Sequence, residues 1–548
     1  MKEISKIKFL FSISSIVLFV YGIRSLSEPD IWWQMRTGEW IWSHHKVPTI
    51  DFISFTFEGE PWMNIKWLSE VLFYLVGNYI DPTAINVLCG FVFVLIAFVL
   101  YLRTKATYKS YSFLYAFLFF GFIVSIRMNG RPEMFSYLFS ALYLFLFQKS
   151  TKNIHWLWGI ILMQLLWCNM HEAFGVGLVM VVVFSIINLL DKEIQNKWMY
   201  ILFMAACIAV TLINPRGLEL LTYVYKIYGQ LEENKFTSEM VGWNEDLYWN
   251  IFTILNSIVF CISTLYIYFQ WKNHKDNFKN SVPYYEVIIY IMFFYLSLKS
   301  NRNIVFFQII AFPYLIGGLE IVAPNWVKKH LIAGIGTTLI VYVFIVSGAY
   351  YGVTNKNNQY GLSVHPEKTP IGAYAFVHDS IKGKKVFTDF LSVNYGLWSL
   401  RPEFKSYIDL RDLDVFTPAF FKNCYRLYEQ PDVLLKSGMT LWDFADSIDQ
   451  FAYVVLLNNE GFVPLHNYLL RRESKYQLVY ADPLASVYQK NKGNSIIKKD
   501  WFHPYTFYDH KLAWINFIFN PFWINPKDRI YDYQEMKAVW EQTVVMPK

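Results

Sequence analysis

The chain is short of charge and of usable cysteine, and each shortage excludes whole classes of protein. Only 17% of its 548 residues are Asp, Glu, Lys or Arg, where a soluble domain carries about 25%. Hydrophobic residues make up 55% and aromatics 20%, a composition suited to lipid. Of the five cysteines, Cys89, Cys168, Cys207 and Cys261 fall inside apolar runs and Cys424 stands alone. That pattern provides neither a disulfide framework nor a cysteine-based zinc site. No glycine-rich phosphate loop, HExxH, GxSxG or CxxC pair occurs, so nucleotide chemistry and zinc hydrolysis lose ground. There is no repeat at a fixed period and no low-complexity tract. No small-x-small cleavage site follows Lys2, Lys6, Lys8 and the first apolar run, which therefore reads as an uncleaved span. The net charge of +6 needs no nucleic-acid partner, because membrane proteins concentrate Lys and Arg in cytoplasmic loops.

What the chain does have is long apolar runs. A span needs about 20 mostly apolar residues, and about eleven runs qualify as candidates. They lie near 9–26, 84–102, 111–126, 133–148, 155–170, 173–190, 198–213, 251–270, 284–298, 303–320 and 331–350. With a cytoplasmic N-terminus, the short inner loops hold Arg103, Lys105, Lys109, Lys149, Lys152, Lys192, Lys197, Lys272, Lys275, Lys279, Lys328 and Lys329. The short outer loops hold only Arg127, Arg131, Lys299 and Arg302. Twelve against four follows the positive-inside rule. The expectation is a polytopic helical protein of the inner (cytoplasmic) membrane, with residues 1–350 in its transmembrane domain and residues 351–548 outside.

Two outer segments are long, 27–83 and 214–250. The first ends in Trp67-Leu68-Ser69-Glu70, where apolar residues recur at helical spacing, as in a helix lying along the interface. Beyond residue 350 the runs 384–389, 405–409, 451–457, 476–482 and 485–489 are β-branched and aromatic, the last two forming a hairpin. Short helices are expected at 367–381, 416–428 and 440–449. Together they make one extracytoplasmic α/β domain. Residues 501–533 are crowded with Trp, Phe, Tyr, Pro and Asn and suit a segment resting on the membrane.

The unusual polar residues collect on the outer face of this topology. Glu28, Asp30 and Asp51 lie in the first loop, Arg127 and Arg131 flank a turn, and His171-Glu172 forms another. Arg216 opens the second long loop, and Arg302 begins the tenth span. Carboxylates beside hydrocarbon are costly and so are functional candidates. Arginine suits phosphate because its planar fork donates two parallel, charge-assisted hydrogen bonds. Each residue also has a plainer reading. Arg127 and Arg302 can snorkel to headgroups, His171 can satisfy a turn, Glu172 can pair with an arginine, and Asp409, Arg411 and Asp412 can form a strand-end ion-pair cluster.

A family resemblance rests on the run Glu28-Pro29-Asp30-Ile31-Trp32-Trp33 through Gly38 and Trp40, then Val47 to Thr56, Gly59 to Trp62, and Trp67 to Glu70. It extends to Arg131-Pro132, Asn169-Met170-His171, Asn214 to Gly217, Arg302, Asn394 to Gly396 and Ile408 to Arg411. This pattern resembles bacterial polytopic relatives of the GT-C glycosyltransferase superfamily, the group that includes protein mannosyltransferases. Departures are Gln34 where the family often has His, Lys66 where it has an acid, and Glu172 where it has Gly. The resemblance implies an inverting transferase. It would move a sugar from a polyprenyl-phosphate donor to an extracytoplasmic acceptor (protein, lipid or glycan). Asp30 is implied as general base, with Glu28 or Asp51 as a second carboxylate that orients the acceptor or holds a divalent metal. Arg131, Arg216, Arg302, His171 and Arg127 are the candidates to hold the donor phosphate. Trp32, Trp33 and Trp62 either stack on sugars or anchor the loop. The alternative is a non-catalytic membrane protein that binds or translocates lipid-linked glycan for an envelope polysaccharide system.

Overall fold

The computed structural model describes residues 2–104, 111–223, 241–275, 278–325, 329–354, 358–411, 414–472, 475–491 and 501–545. Lys105, Lys109, Lys328, Asp412 and residues 224–240 of the second long segment lie outside the described residues. By packing, the chain divides into two compact units: Met1–Arg24 with Ile85–Gly361, and Ser25–Ala84 with Leu362–Lys548. A cut at residue 350 separates the chain by composition, whereas packing groups the first loop with the tail.

The first unit is helical. Among the described residues, a helix lies on each of the apolar runs read from the sequence. Three are long and apolar enough to cross a membrane: Ala84–Thr104, Ile251–Asn273 and Asn301–Val322. Others, such as Ser112–Ser125 with 14 residues, rise about 21 Å at 1.5 Å per residue, short of a hydrocarbon core of about 30 Å. The helix Ile304–Val322 is apolar on nearly every face and is buried along most of its length, as expected of a helix at the centre of a bundle. It packs against Ile251–Asn273, Tyr284–Lys299, Ser112–Ser125 and Glu133–Ser150. Gly318 makes the first of these crossings close, since a Cβ there would lie 2.3 Å from the Ile262 carbonyl oxygen. Small residues let membrane helices approach in this way.

The first helix, Lys2–Val20, stops short of the apolar run that extends to Leu26. Gly22 passes so close to Gly90 that a Cβ would meet its Cα at 2.5 Å. Beyond it, Arg24 turns inward, 4% exposed.

The second unit carries a four-stranded sheet in the order β1-β2-β4-β3, with β1 Val386–Thr388, β2 Tyr453–Leu457, β3 Tyr476–Ala481 and β4 Ala485–Lys490. The first pair is parallel, with Val386 opposite Tyr453, and the others are antiparallel. Every residue of β2 is buried, which explains its unbroken apolar sequence. The hairpin between β3 and β4 turns at Asp482, whose carboxylate accepts the N–H groups of Leu484 and Ala485, an Asx-type turn. The run 405–409 forms only an isolated bridge, from Ser406 to Ser54. Its polar residues are drawn instead into a side-chain cluster around Arg411. The expected helices appear as Ile371–Val377, Pro418–Glu429 and Leu441–Asp449, the last two capped by Thr417 and Thr440.

The same unit holds the helix Asp30–His44 against Trp67–Tyr79. Gly38 permits this contact, because a Cβ there would sit 2.0 Å from the Glu70 carbonyl oxygen.

Candidate functional site

The expected site residues fall into two groups, one in each unit. In the second unit Asp30 is the first residue of its helix, where the helix dipole favours a carboxylate. Its Oδ1 accepts from the Trp33 indole N–H at 3.2 Å. Glu28 and Asp30 are both half-buried. Trp32, Trp33 and Trp62 are 2%, 3% and 1% exposed, which rules out any of them offering an open face to a sugar. Trp32 meets Tyr395 edge-on and Trp33 meets Trp62, so all three anchor the loop.

Asp51 is placed differently from the other two carboxylates. It is 1% exposed. Its carboxylate accepts the Ile53 and Ser54 N–H groups and the Ser54 hydroxyl, and it pairs with Arg411 Nη1 at 2.6 Å. The other face of that guanidinium is held by Asp409 at 2.8 Å through both Nε and Nη2, and Trp62 lies 4.8 Å from it. Burial alone would lower the arginine's pKa. Asp409 and Asp51 outweigh it and raise the pKa above the ordinary value. A saturated pair inside the fold is a structural tie, and this geometry speaks against Asp51 as an acceptor-orienting or metal-holding carboxylate.

One further carboxyl of this unit is buried without an arginine. Glu70 is 0% exposed. Its Oε2 accepts from Asn64 at 2.6 Å, and Oε1 has no hydrogen-bond partner. Burial, only partly opposed by Asn64 and by the Lys66 and Arg411 charges, pushes its pKa up to about 8.

In the first unit, residues distant in sequence converge at helix ends. Glu133, at the start of Glu133–Ser150, accepts Arg127 Nη2 at 3.0 Å and Arg302 Nε at 2.9 Å. Arg302 also approaches Glu172 at 3.8 Å, and Glu172 lies 3.5 Å from His171 Nε2. The Ser136 hydroxyl accepts from Trp167 at 2.7 Å and sits 2.8 Å from His171 Nδ1. The Ala173 N–H also points at Nδ1, so this pattern assigns Nδ1 as acceptor and places the proton on Nε2, facing Glu172.

Arg131 is half-buried in the turn that leads into Glu133. Arg216 follows Trp198–Thr211, and its ion pair is with Glu219 at 3.5 Å. The structure therefore joins Arg127, Arg302 and His171 through two carboxylates. Glu133 was not among the expected residues. Its signal was present, a carboxylate opening an apolar helix directly after Arg131-Pro132.

Among the described residues, no group of three or more His, Cys, Asp or Glu side chains is arranged to hold a metal ion. The described residues thus do not fit the divalent metal that the resemblance allows.

No protein-family model matches the sequence, and no curated protein matches it. Solved structures do. The apo form of the Archaeoglobus fulgidus oligosaccharyltransferase aligns over 88% of this chain and 75% of its own, with a TM-score of 0.49 and 11% identity. The same enzyme in complex with Zn and sulfate aligns over 85% and 71%, with a TM-score of 0.54 and 12% identity. At that identity, what the second alignment shows is a similar fold.

Proposed function

We propose that this chain is a multi-pass membrane glycosyltransferase of GT-C type that takes a sugar from a polyprenyl-phosphate carrier. The acceptor lies outside the cytoplasmic membrane. In this reading the chain crosses the membrane about eleven times, at the apolar runs, the N-terminus is cytoplasmic, and the tail domain is extracytoplasmic with its aromatic end on the membrane. The reading is carried by the gathering of Arg127, Arg302 and His171 around Glu133 and Glu172. Guanidiniums gathered beside the bilayer, with Arg302 partly exposed, suit a lipid phosphate. The fold similarity to an oligosaccharyltransferase supports it.

The chemistry follows from the residue types. Asp30 takes the proton of an acceptor hydroxyl while that oxygen bonds to the anomeric carbon, and Glu28 orients the acceptor. The bond from the carbon to the phosphate oxygen breaks, and its electron pair leaves with the phosphate. The sugar inverts. A phosphate leaving group needs charge stabilisation more than an acid, and we assign that task to Arg127, Arg131, Arg302 and His171. Asp51 belongs to the framework.

The test compares glycans and lipid-linked sugars, by mass spectrometry, in cells with and without the gene. We expect one glycan to lose a sugar and a lipid-linked donor to accumulate. Asp30→Asn, inserted at wild-type level, should lower transfer by about 10²- to 10⁴-fold, the usual contribution of a general base. An unchanged glycan profile would overturn the reading, and a fully active Asp30→Asn protein would remove Asp30 as the base. One observation favours a non-catalytic glycan-binding protein instead: Arg127 and Arg302 already have carboxylate partners.

A further inference from the structure

Arg24 lies inside the first apolar run, where a buried arginine is costly unless it does something. It is 4% exposed, and its guanidinium is spent on one short stretch of chain. Nη1 donates to the Ser125 carbonyl at 3.4 Å, and Nη2 donates to the Met128 carbonyl and to the Asn129 side-chain oxygen. That stretch carries Arg127 and runs on through Arg131 to Glu133. The other side chains bonded to Arg24's backbone or to this stretch are uncharged. Asn86 donates to its carbonyl, Cys89 donates to the Met128 carbonyl, and Tyr350 hydrogen-bonds Ser125. Among the described residues no carboxylate pairs with Arg24. Its charge is offset by dipoles alone, whereas Arg127 and Arg302 share Glu133.

We infer that Arg24 is a positioning residue for the phosphate-holding cluster, resting on the functional reading above. It clamps the Ser125–Asn129 turn that presents Arg127 and leads to Arg131, and it supplies a positive charge that no carboxylate among the described residues pairs with. The ligand class is a phosphodiester anion. The shape of the clamp and the charge are separable. Arg24→Gln keeps a donor to the carbonyls and removes the charge. Asn129→Asp keeps the side-chain shape and puts a carboxylate on Arg24, neutralising it in place.

The experiment uses the full chain in detergent, with ethyl farnesyl phosphate as the probe, farnesol as the neutral control and phosphatidylglycerol as a competitor. Binding is read by native mass spectrometry, and folding by thermal unfolding of the same samples. Arg24→Gln and Asn129→Asp should each weaken probe binding by about tenfold or more, the scale of one lost charge-assisted contact, without weakening farnesol binding. Arg24→Lys should recover most of the affinity. A purely structural role would instead move the melting temperature and leave the affinity of the folded fraction intact. That result, or unchanged binding in both neutralised variants, overturns the inference.

If Arg24→Gln does not fold, Asn129→Asp decides alone. Wild-type protein that ignores the probe overturns this inference and the functional reading together. Loss of binding in Arg302→Ala with none in Arg24→Gln overturns the inference and leaves the reading standing. Equal displacement by phosphatidylglycerol, with both neutralised variants weak, upholds Arg24 as the positioning residue of a phosphodiester site and counts against the sugar donor as its source.

Discussion

The two units each build a cluster from arginine and carboxylate, and the clusters do opposite things with the same groups. In the second unit one guanidinium, Arg411, sits between Asp51 and Asp409, and all three side chains are 0% exposed. In the first unit Arg302 is 28% exposed and Glu172 is 23% exposed, while Glu133 at 4% serves two arginines. A buried pair gains little net stability from its attraction, but losing one partner is severe because a bare charge remains. A half-open cluster, in which Arg302 and Glu172 are partly exposed, can be reached by something else. Residue type is the same in both places, so saturation and exposure are what separate a tie from a site.

The contrast breaks most sharply at Arg411. Arg411→Met leaves Asp51 and Asp409 facing each other without a counter-charge, and should destabilise the protein by about 3–5 kcal/mol. Chemical unfolding of the detergent-solubilised chain measures this. Full stability would mean that the cluster is not the tie described.

Glu70 sharpens the contrast from the other side, as a buried carboxyl with no arginine. Its folded pKa of about 8 lies above its unfolded value, so the folded state holds a proton that the unfolded state has released. Stability from this group is complete below the unfolded pKa near 4.5. It then falls as pH rises towards 8, by about 1.4 kcal/mol per pH unit for one proton. Glu70→Gln should flatten that slope. A wild-type protein equally stable at pH 5 and pH 8 would refute the assignment.

The smallest effects grade the open cluster itself. Arg302→Ala should weaken phosphodiester binding by about tenfold. Arg216→Ala should change it by less than about threefold, because its pair with the exposed Glu219 is of the surface kind, worth about 0–1 kcal/mol. Equal losses in the two variants would mean that general attraction to anionic lipid governs binding.

Much of this was legible in the sequence. The apolar runs located the helices of the first unit, and unbroken β-branched stretches located β1 to β4, because hydrophobic patterning is a local property. The run 405–409 has strand-like residues, but Ser406 and Asp409 serve Arg411 instead of a ladder. The helices Val393–Ser399 and Val463–Leu470 were hidden by their shortness. Arg127, Arg302 and His171 were legible by type, and Glu28 and Asp30 by position. Asp51 could not be sorted from them, since its partner lies 360 residues away, and no local pattern carries that distance. Glu133 was legible as a carboxylate opening an apolar helix, although it was not among the expected residues, and Arg24 was masked by the apolar run that contains it.

That separation also sets an order of events during synthesis. Asp51 emerges early, and Arg411 follows 360 residues later. At about 5–20 residues per second, the interval is roughly 20–70 s. For that time the loop carrying Glu28 and Asp30 exists without the arginine that ties it down. The larger part of the first unit, Ile85–Gly361, is made entirely within the same interval, since it lies in sequence between the two halves of the second. The carboxylates proposed for catalysis therefore reach their final setting last, after the helices have had their chance to assemble. A ribosome stalled between Gly361 and Arg411 would leave a nascent chain with a complete bundle sequence and a loop not yet tied down.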